Sequence, residues 1–172
     1  MKILAINGSP RKGNTDFILD TLLKDSDIIK LREKKINFCG GGDTCCPINL
    51  KCHIKDDMLD IYEKIEAADI IILASPCYFS NVTARMKNFI DRCNPYYFNK
   101  KLKDKKFFLI SVGGYEPSLK ESIKSMEHFV EGIKGKVIGS YTAVADKKDE
   151  LKQNEKIIKE LKTISKELIK HE

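Results

Sequence analysis

The sequence predicts a doubly wound α/β fold: a five-stranded parallel sheet in the order 2-1-3-4-5, with helices on both faces as a three-layer sandwich. Three observations predict it. Strand-length apolar runs without polar alternation, such as Ile70-Ile71-Ile72-Leu73-Ala74 and Phe107-Phe108-Leu109-Ile110, fit parallel strands covered on both faces. Segments with helical apolar spacing separate these runs. A glycine-containing turn, Gly8 to Thr15, joins the first run to the first helix.

Taken in order, Ile3-Leu4-Ala5-Ile6 is the first strand, and Phe17, Ile18 and Leu22 mark the helix behind it. Ile28-Ile29-Lys30-Leu31 is more polar and fits an edge strand. Met58, Ile61, Tyr62 and Ile65 recur at i, i+3, i+4, i+7, with Asp56 and Asp57 placed to cap that helix. Val82, Met86, Phe89 and Ile90 form a further stripe after the third strand. Leu119, Ile123, Met126, Val130 and Ile133 form another, opened by Pro117. Val137-Ile138 is the fifth strand, read as covered on both faces, and Leu151, Ile158, Leu161, Ile164 and Leu168 complete the chain as a last helix.

The length of 172 residues suits one domain over 1–172, with a cysteine-rich insertion at about 36–56. No apolar run reaches the roughly 20 residues of a membrane span, and the first run is too short for a signal peptide. A cytoplasmic protein is expected, with no membrane partner. The net charge of +6 comes from lysines interleaved with acids, as in Lys147-Lys148-Asp149-Glu150-Leu151-Lys152, which reads as a solvated helix face. No basic stripe is interleaved with stacking aromatics, so nucleic acid is not an expected partner.

The turn Gly8-Ser9-Pro10-Arg11-Lys12-Gly13-Asn14-Thr15 carries the strongest chemical signal. A strand-to-helix turn presents free backbone N–H groups at the positive end of the helix dipole, which suits an anion. Ser9, Asn14 and Thr15 add donors, and Arg11 and Lys12 add charge. The glycines have P-loop spacing, but Asn14 stands where the nucleotide-binding lysine belongs, which argues against an NTPase. The dinucleotide fingerprint G-x-G-x-x-G is also absent. A monophosphate fits better. In a 2-1-3-4-5 sheet this turn converges with Ser75 to Asn81 and Val112 to Glu116, and Ile36 to Cys52 is expected near the same edge.

Ser75-Pro76-Cys77-Tyr78-Phe79-Ser80-Asn81 leaves the third strand with two adjacent aromatics. Either they pack as a satellite cluster under the loop or they cover something flat. A flat ring with a phosphorylated tail describes FMN.

These pieces, together with Asp56-Asp57-Met58, Ala68-Asp69 and Lys87-Asn88-Phe89-Ile90-Asp91-Arg92, span about half the chain. In this order they resemble the NAD(P)H-dependent FMN reductase family of the flavodoxin-like superfamily, and most of all its iron–sulfur flavoprotein branch. The resemblance implies that Ser9, Arg11, Asn14 and Thr15 bind the FMN phosphate, with Lys12 and Gly13 in the same loop. It implies that Pro76, Cys77, Tyr78, Phe79 and Asn81 line the ribityl chain and ring, with Ser80 between them. Gly113 and Gly114 approach the far edge of the ring. NAD(P)H is the implied donor, and a quinone, another small molecule or a protein is the acceptor. No catalytic side chain is assigned, because the flavin carries the chemistry. Asp91 and Arg92 read as a structural helix-end pair. The family also implies a homodimer or homotetramer, and Tyr96, Tyr97 and Phe98 offer three aromatics for an interface or for packing on their own domain.

Six cysteines without a secretory context favour metal or redox chemistry. Cys39, Cys45, Cys46 and Cys52 lie in one glycine-rich stretch. The related branch carries a [4Fe–4S] cluster there, but Gly42 occupies one of its ligand positions and Cys46 adjoins Cys45. A four-thiolate cluster, a tetrahedral zinc site with unusual spacing, a thiol–disulfide switch and a set of free thiols all remain open. Rival functions are an electron-carrying flavoprotein with a cluster and a flavin-free thiol or zinc module. Cys93 reads as a packed small hydrophobe, and His53, His128 and His171 show no ligand spacing.

Overall fold

The computed structural model describes residues 1–23, 27–41 and 45–170; Gly42 and His171, both named above, lie outside them. The elements run β1 (Ile3–Asn7), α1 (Asn14–Leu22), β2 (Asp27–Lys30), α2 (Cys45–Asn49), α3 (Met58–Ala67) and β3 (Ile70–Pro76). They continue α4 (Ala84–Arg92), α5 (Pro95–Asn99), β4 (Lys106–Gly113), α6 (Glu116–Gly132), β5 (Lys136–Val144) and α7 (Glu155–Lys170). Short 3₁₀ turns cover Leu31–Glu33 and Glu150–Gln153. All strand pairs are parallel and the order is β2-β1-β3-β4-β5, as the sequence predicts. Among the described residues no helix is long and apolar enough to cross a membrane.

Successive side chains of a strand point to opposite faces, and this alternation divides the core in two. Leu4, Ile6, Ile71, Leu73, Phe107 and Leu109 pack under α3, α4 and α6. Ile3, Ala5, Ile70, Ile72, Phe108 and Ile110 pack against α1 and α7. The central strands are buried on both faces, which is why they read as unbroken apolar runs.

Three local expectations are corrected. β5 is an exposed edge strand of nine residues, not a covered one, with Val137 exposed. Ser140 faces solvent, and Gly139 and Thr142 interrupt the apolar run, which hides the strand's length in the sequence. A β-bulge between Phe107 and Phe108 sets Gly139 against the Phe108 ring. Asp57 does not cap α3 with its side chain; Asp56 Oδ1 accepts from Met58 N at 3.0 Å instead. Asp91 and Arg92 do not pair with each other. Asp91 pairs with Lys87 one turn back, and Arg92 turns inward to Asp56.

Candidate functional site

The strand ends carry the site. The loops after β1, β3 and β5 each leave their strand tied to the neighbouring strand by one further backbone hydrogen bond. Gly8 N donates to Ala74 O (2.8 Å), Cys77 N to Val112 O (2.8 Å) and Ala145 N to Gly113 O (3.0 Å). Thr83, the N-cap of α4, locks two loops together: its Oγ1 donates to Gly8 O (2.7 Å) and its N–H donates to Ser75 Oγ (3.0 Å). Gly8 is needed there, because a Cβ would stand 2.8 Å from Met86 Cβ.

The loops after β1, β3, β4 and β5 enclose a cavity of about 190 Å³. Ser9, Arg11, Gly13, Asn14, Thr15, Pro76, Cys77, Tyr78, Gly113 and Gly114, all singled out from sequence, line it. A second cavity of about 480 Å³ adjoins it, sharing Cys77, Gly113, Gly114 and Asp146 and adding Phe79, Ser80 and Tyr115. Lys12 and Asn81 line neither cavity. Asn81 Oδ1 instead accepts from Val82 N and Ser125 Oγ, at 2.8 and 2.9 Å.

The turn after β1 is pre-organised by its own polar groups. Ser9 N donates to Asn7 Oδ1 (2.9 Å), Ser9 Oγ donates to Arg11 O (2.7 Å), and Gly13 N donates to Asp16 Oδ2 (3.2 Å). Buried Asp16 is paired with Arg32 at 2.7 Å, which offsets its negative charge beneath the turn. The first intrahelical bond is Phe17 N to Gly13 O, so the N–H groups of Asn14, Thr15 and Asp16 have no partner among the described residues. A helix start of this kind suits an anion.

Tyr78 to Asn81 form a tight hairpin turn closed by Tyr78 N to Asn81 O (2.9 Å) and Asn81 N to Tyr78 O (3.0 Å). Phe79 and Ser80 hold φ of 49° and 59°, as a mirror-image turn requires. The geometry projects Phe79 wholly into solvent at the rim of the second cavity. Cys77 Sγ donates to Ser118 O at 3.2 Å, and burial pushes its thiol up, so it lines the wall as a neutral group. Gly114 faces the loop after β5 with no room for a side chain: a Cβ there would lie 1.8 Å from Asp146 Oδ1.

The loop after β5 supplies lining residues that the sequence does not mark. Lys147 and Lys148, read from sequence as a solvated helix face, line the first cavity beside Ala145 and Asp146. The available signal was topological: β5 adjoins β4, so its carboxyl end must lie beside Gly113.

The cysteine segment is placed against α4 and α5 and lines neither cavity. Arg92, fully buried, donates to Asp56 Oδ2 (2.6 Å), Asp56 Oδ1 (3.1 Å) and Asn37 O (2.7 Å). Burial pushes the Asp56 carboxyl up, but hydrogen bonds from Arg92 and from the N–H groups of Asn37 and Met58 outweigh it and hold it below the usual range. Cys39 is exposed and lines a separate cavity with Cys93, Tyr97 and His128. Cys46 is buried, its Sγ 3.7 Å from that of Cys45, and Cys52 lies beside Tyr62 and Arg92. Burial and the Cys45 thiol push Cys46 up to about 11. Among the described residues, no three Cys, His, Asp or Glu side chains are placed to hold a metal ion. The donor set in this arrangement does not fit a four-thiolate cluster. Cys93 is packed in the core.

Fold and site together define a flavodoxin-like fold with a strand-to-helix turn suited to an anion at the topological switch point. Residues 1–150 match the model of the NADPH-dependent FMN reductase family, a family of flavin-dependent oxidoreductases, and the chain belongs to it. An iron–sulfur flavoprotein of Archaeoglobus fulgidus is 43% identical over 113 residues, 61% of this chain and 51% of that protein. The chain thus spans about half the length of such curated relatives. YwqN of Bacillus subtilis is 30% identical over 162 residues, 81% of this chain and 84% of that one. The structure of the Trp repressor binding protein of Bacillus subtilis superposes with a TM-score of 0.72 at 21% identity, covering 95% and 96% of the two chains.

Proposed function

We propose that this protein is an FMN-dependent oxidoreductase that takes electrons from NAD(P)H and passes them to a quinone, another small molecule or a protein. The observation that carries the proposal is the convergence of the β1, β3 and β4 loops on one groove that begins at the unpaired N–H groups of α1. The residues fit the cofactor. The start of α1 with Ser9, Arg11 and Thr15 would hold the phosphate, and Pro76, Cys77, Tyr78 and the Gly113-Gly114 backbone would flank the ribityl chain and ring. FMN, when bound, supplies acceptance of hydride from a reduced nicotinamide and release of electrons to an acceptor.

The chain's own residues bind and orient. Gly114 lets the backbone close on the ring site without a side chain in the way. Cys77, neutral and hydrogen-bonded to Ser118 O, is a wall and not a nucleophile. Exposed Phe79 and Tyr115 at the rim give a planar acceptor or nicotinamide an apolar surface. A homodimer or homotetramer is part of the proposal. Tyr97 and Phe98 of α5, packed edge to face at 5.2 Å, are exposed and available as a contact, whereas Tyr96 is buried.

Anaerobic mixing of the flavin-loaded protein with NADH and with NADPH tests the reaction. Bleaching of the flavin by at least one is expected; no bleaching by either removes the nicotinamide. Sizing chromatography at micromolar concentration checks the assembly, and a monomer would remove the interface.

A further inference from the structure

Asn14 was expected at the phosphate, yet its side chain is engaged elsewhere. Its Nδ2 donates to Lys147 O at 2.8 Å, and its Oδ1 accepts from Leu151 N at 3.3 Å. These two bonds tie the loop after β5 to the first turn of α1, across more than a hundred residues of chain. Glu150 Oε2 accepts from the N–H groups of Asp146 and Lys147, at 2.9 and 2.8 Å, and fixes the same loop from its other side. As a result the Lys148 stem lies over the phosphate turn, with its Cγ 3.8 Å from where a Cβ of Gly13 would stand. Lys148 and Arg11 both line the cavity.

The need for that charge follows from the turn itself. Three donors available on paper, Ser9 N, Gly13 N and the Asn14 amide, are already hydrogen-bonded within the protein. What remains at the helix start is a short set of N–H groups, which gives direction but only partial charge. A phosphate dianion calls for cations, and Lys12 does not line the cavity.

We propose that the loop after β5 is a fourth wall of the flavin site, in which Lys148 is a phosphate ligand and Asn14 is the positioning residue that latches it in place. This rests on the flavin reading and names how that site selects a phosphorylated flavin. Lys148 is a single charge-assisted contact on a flexible stem. Its effect is confined to ligands that carry the phosphate and weakens with salt.

The test compares FMN with riboflavin, which lacks the phosphate, by fluorescence titration of the full chain at low and high salt. Lys148→Gln is expected to raise the FMN dissociation constant about tenfold and to leave riboflavin unchanged. Asn14→Ala is expected to raise it in the wild-type background and to add little in the Lys148→Gln background, because both changes remove the same contact. A Lys148→Gln protein that keeps the wild-type ratio of FMN to riboflavin affinity overturns the proposal, as does one that loses both ligands equally. A wild-type protein that binds neither ligand overturns the flavin reading itself, which the wild-type titration shows before any variant is made.

Discussion

The loops around the cavity are positioned by the sheet; the cysteine segment is positioned by side chains. Gly8, Cys77 and Ala145 each extend a strand ladder by one backbone hydrogen bond, so the walls of the groove are fixed by topology. The cysteine segment hangs instead from α4 and α5. Arg92 grips Asn37 O and Asp56, Asn88 Nδ2 donates to Ile36 O (2.9 Å), and Asn99 Nδ2 donates to Leu50 O (2.8 Å). A motif on a strand-end loop therefore maps directly onto a site. A run of cysteines between side-chain staples does not show by its spacing which thiols meet.

The largest expected effect breaks the second region and spares the first. Arg92→Leu leaves Asp56 as a buried, unpaired carboxylate and releases Asn37 O. It should cost about 3–5 kcal/mol of unfolding free energy in a urea titration. FMN affinity, measured under conditions where the variant is still folded, should stay within about twofold, because Arg92 touches no loop of the groove. A cost below about 1 kcal/mol would mean that the ion pair is not what holds the segment.

The next effect breaks the first region. In Gly114→Ala the new methyl meets Asp146 Oδ1, the end of an exposed side chain, and the carboxylate must swing aside. A loss of less than about 1 kcal/mol of stability is expected, with FMN binding weakened about tenfold by the side chains crowded at the groove. Asp146→Ala clears the colliding carboxylate, so the double variant Gly114→Ala/Asp146→Ala should regain most of the affinity. If it does not, the glycine is needed for ring contact itself and not for the packing of the two loops.

The contrast also governs what the sequence disclosed. The order of the sheet and the convergence of the loops after β1, β3 and β4 follow from apolar runs and one turn motif, because strands buried on both faces show where their ends lie; the roles of individual residues in those loops came with the family resemblance. Lys147 and Lys148 were illegible because their surroundings in sequence are alternating charges. Only the pairing of β5 with β4 turns that stretch into a cavity wall. Asn14 was legible as a polar residue at a helix start, but not as a latch, since both of its partners lie more than 130 positions away. Arg92 carried no signal for burial: an arginine at the end of an amphipathic helix normally faces water.

Acid sharpens the comparison with a smaller effect. The Asp56 carboxyl is held below its usual range in the folded protein, so its contribution is complete above the unfolded value of about 4 and is lost as pH falls through the folded value. Stability from urea midpoints should therefore decline below about pH 4, and Asp56→Asn should flatten part of that decline. FMN affinity, with no carboxylate assigned to the phosphate, should not follow the same curve. A variant whose acid profile matches the wild type places the acid-labile interaction elsewhere.

The smallest effect concerns the thiols themselves. Cys39 is exposed, while Cys46 is buried and pushed up to about 11 by burial and by Cys45, so it stays a thiol in neutral buffer. An aromatic disulfide reagent should label Cys39 in a fast phase, and Cys46 and Cys93 only on unfolding. Cys39→Ser should remove the fast phase, change stability by less than about 0.5 kcal/mol and leave FMN affinity alone. Iron assayed on anaerobically purified protein completes the experiment. Cys39 and Cys46 differ in burial and line different surroundings, so less than one iron per chain and a reactive Cys39 are expected together. About four irons with Cys39 protected from the reagent would show that the segment closes around a cluster, and that its thiols meet in an arrangement other than the one described.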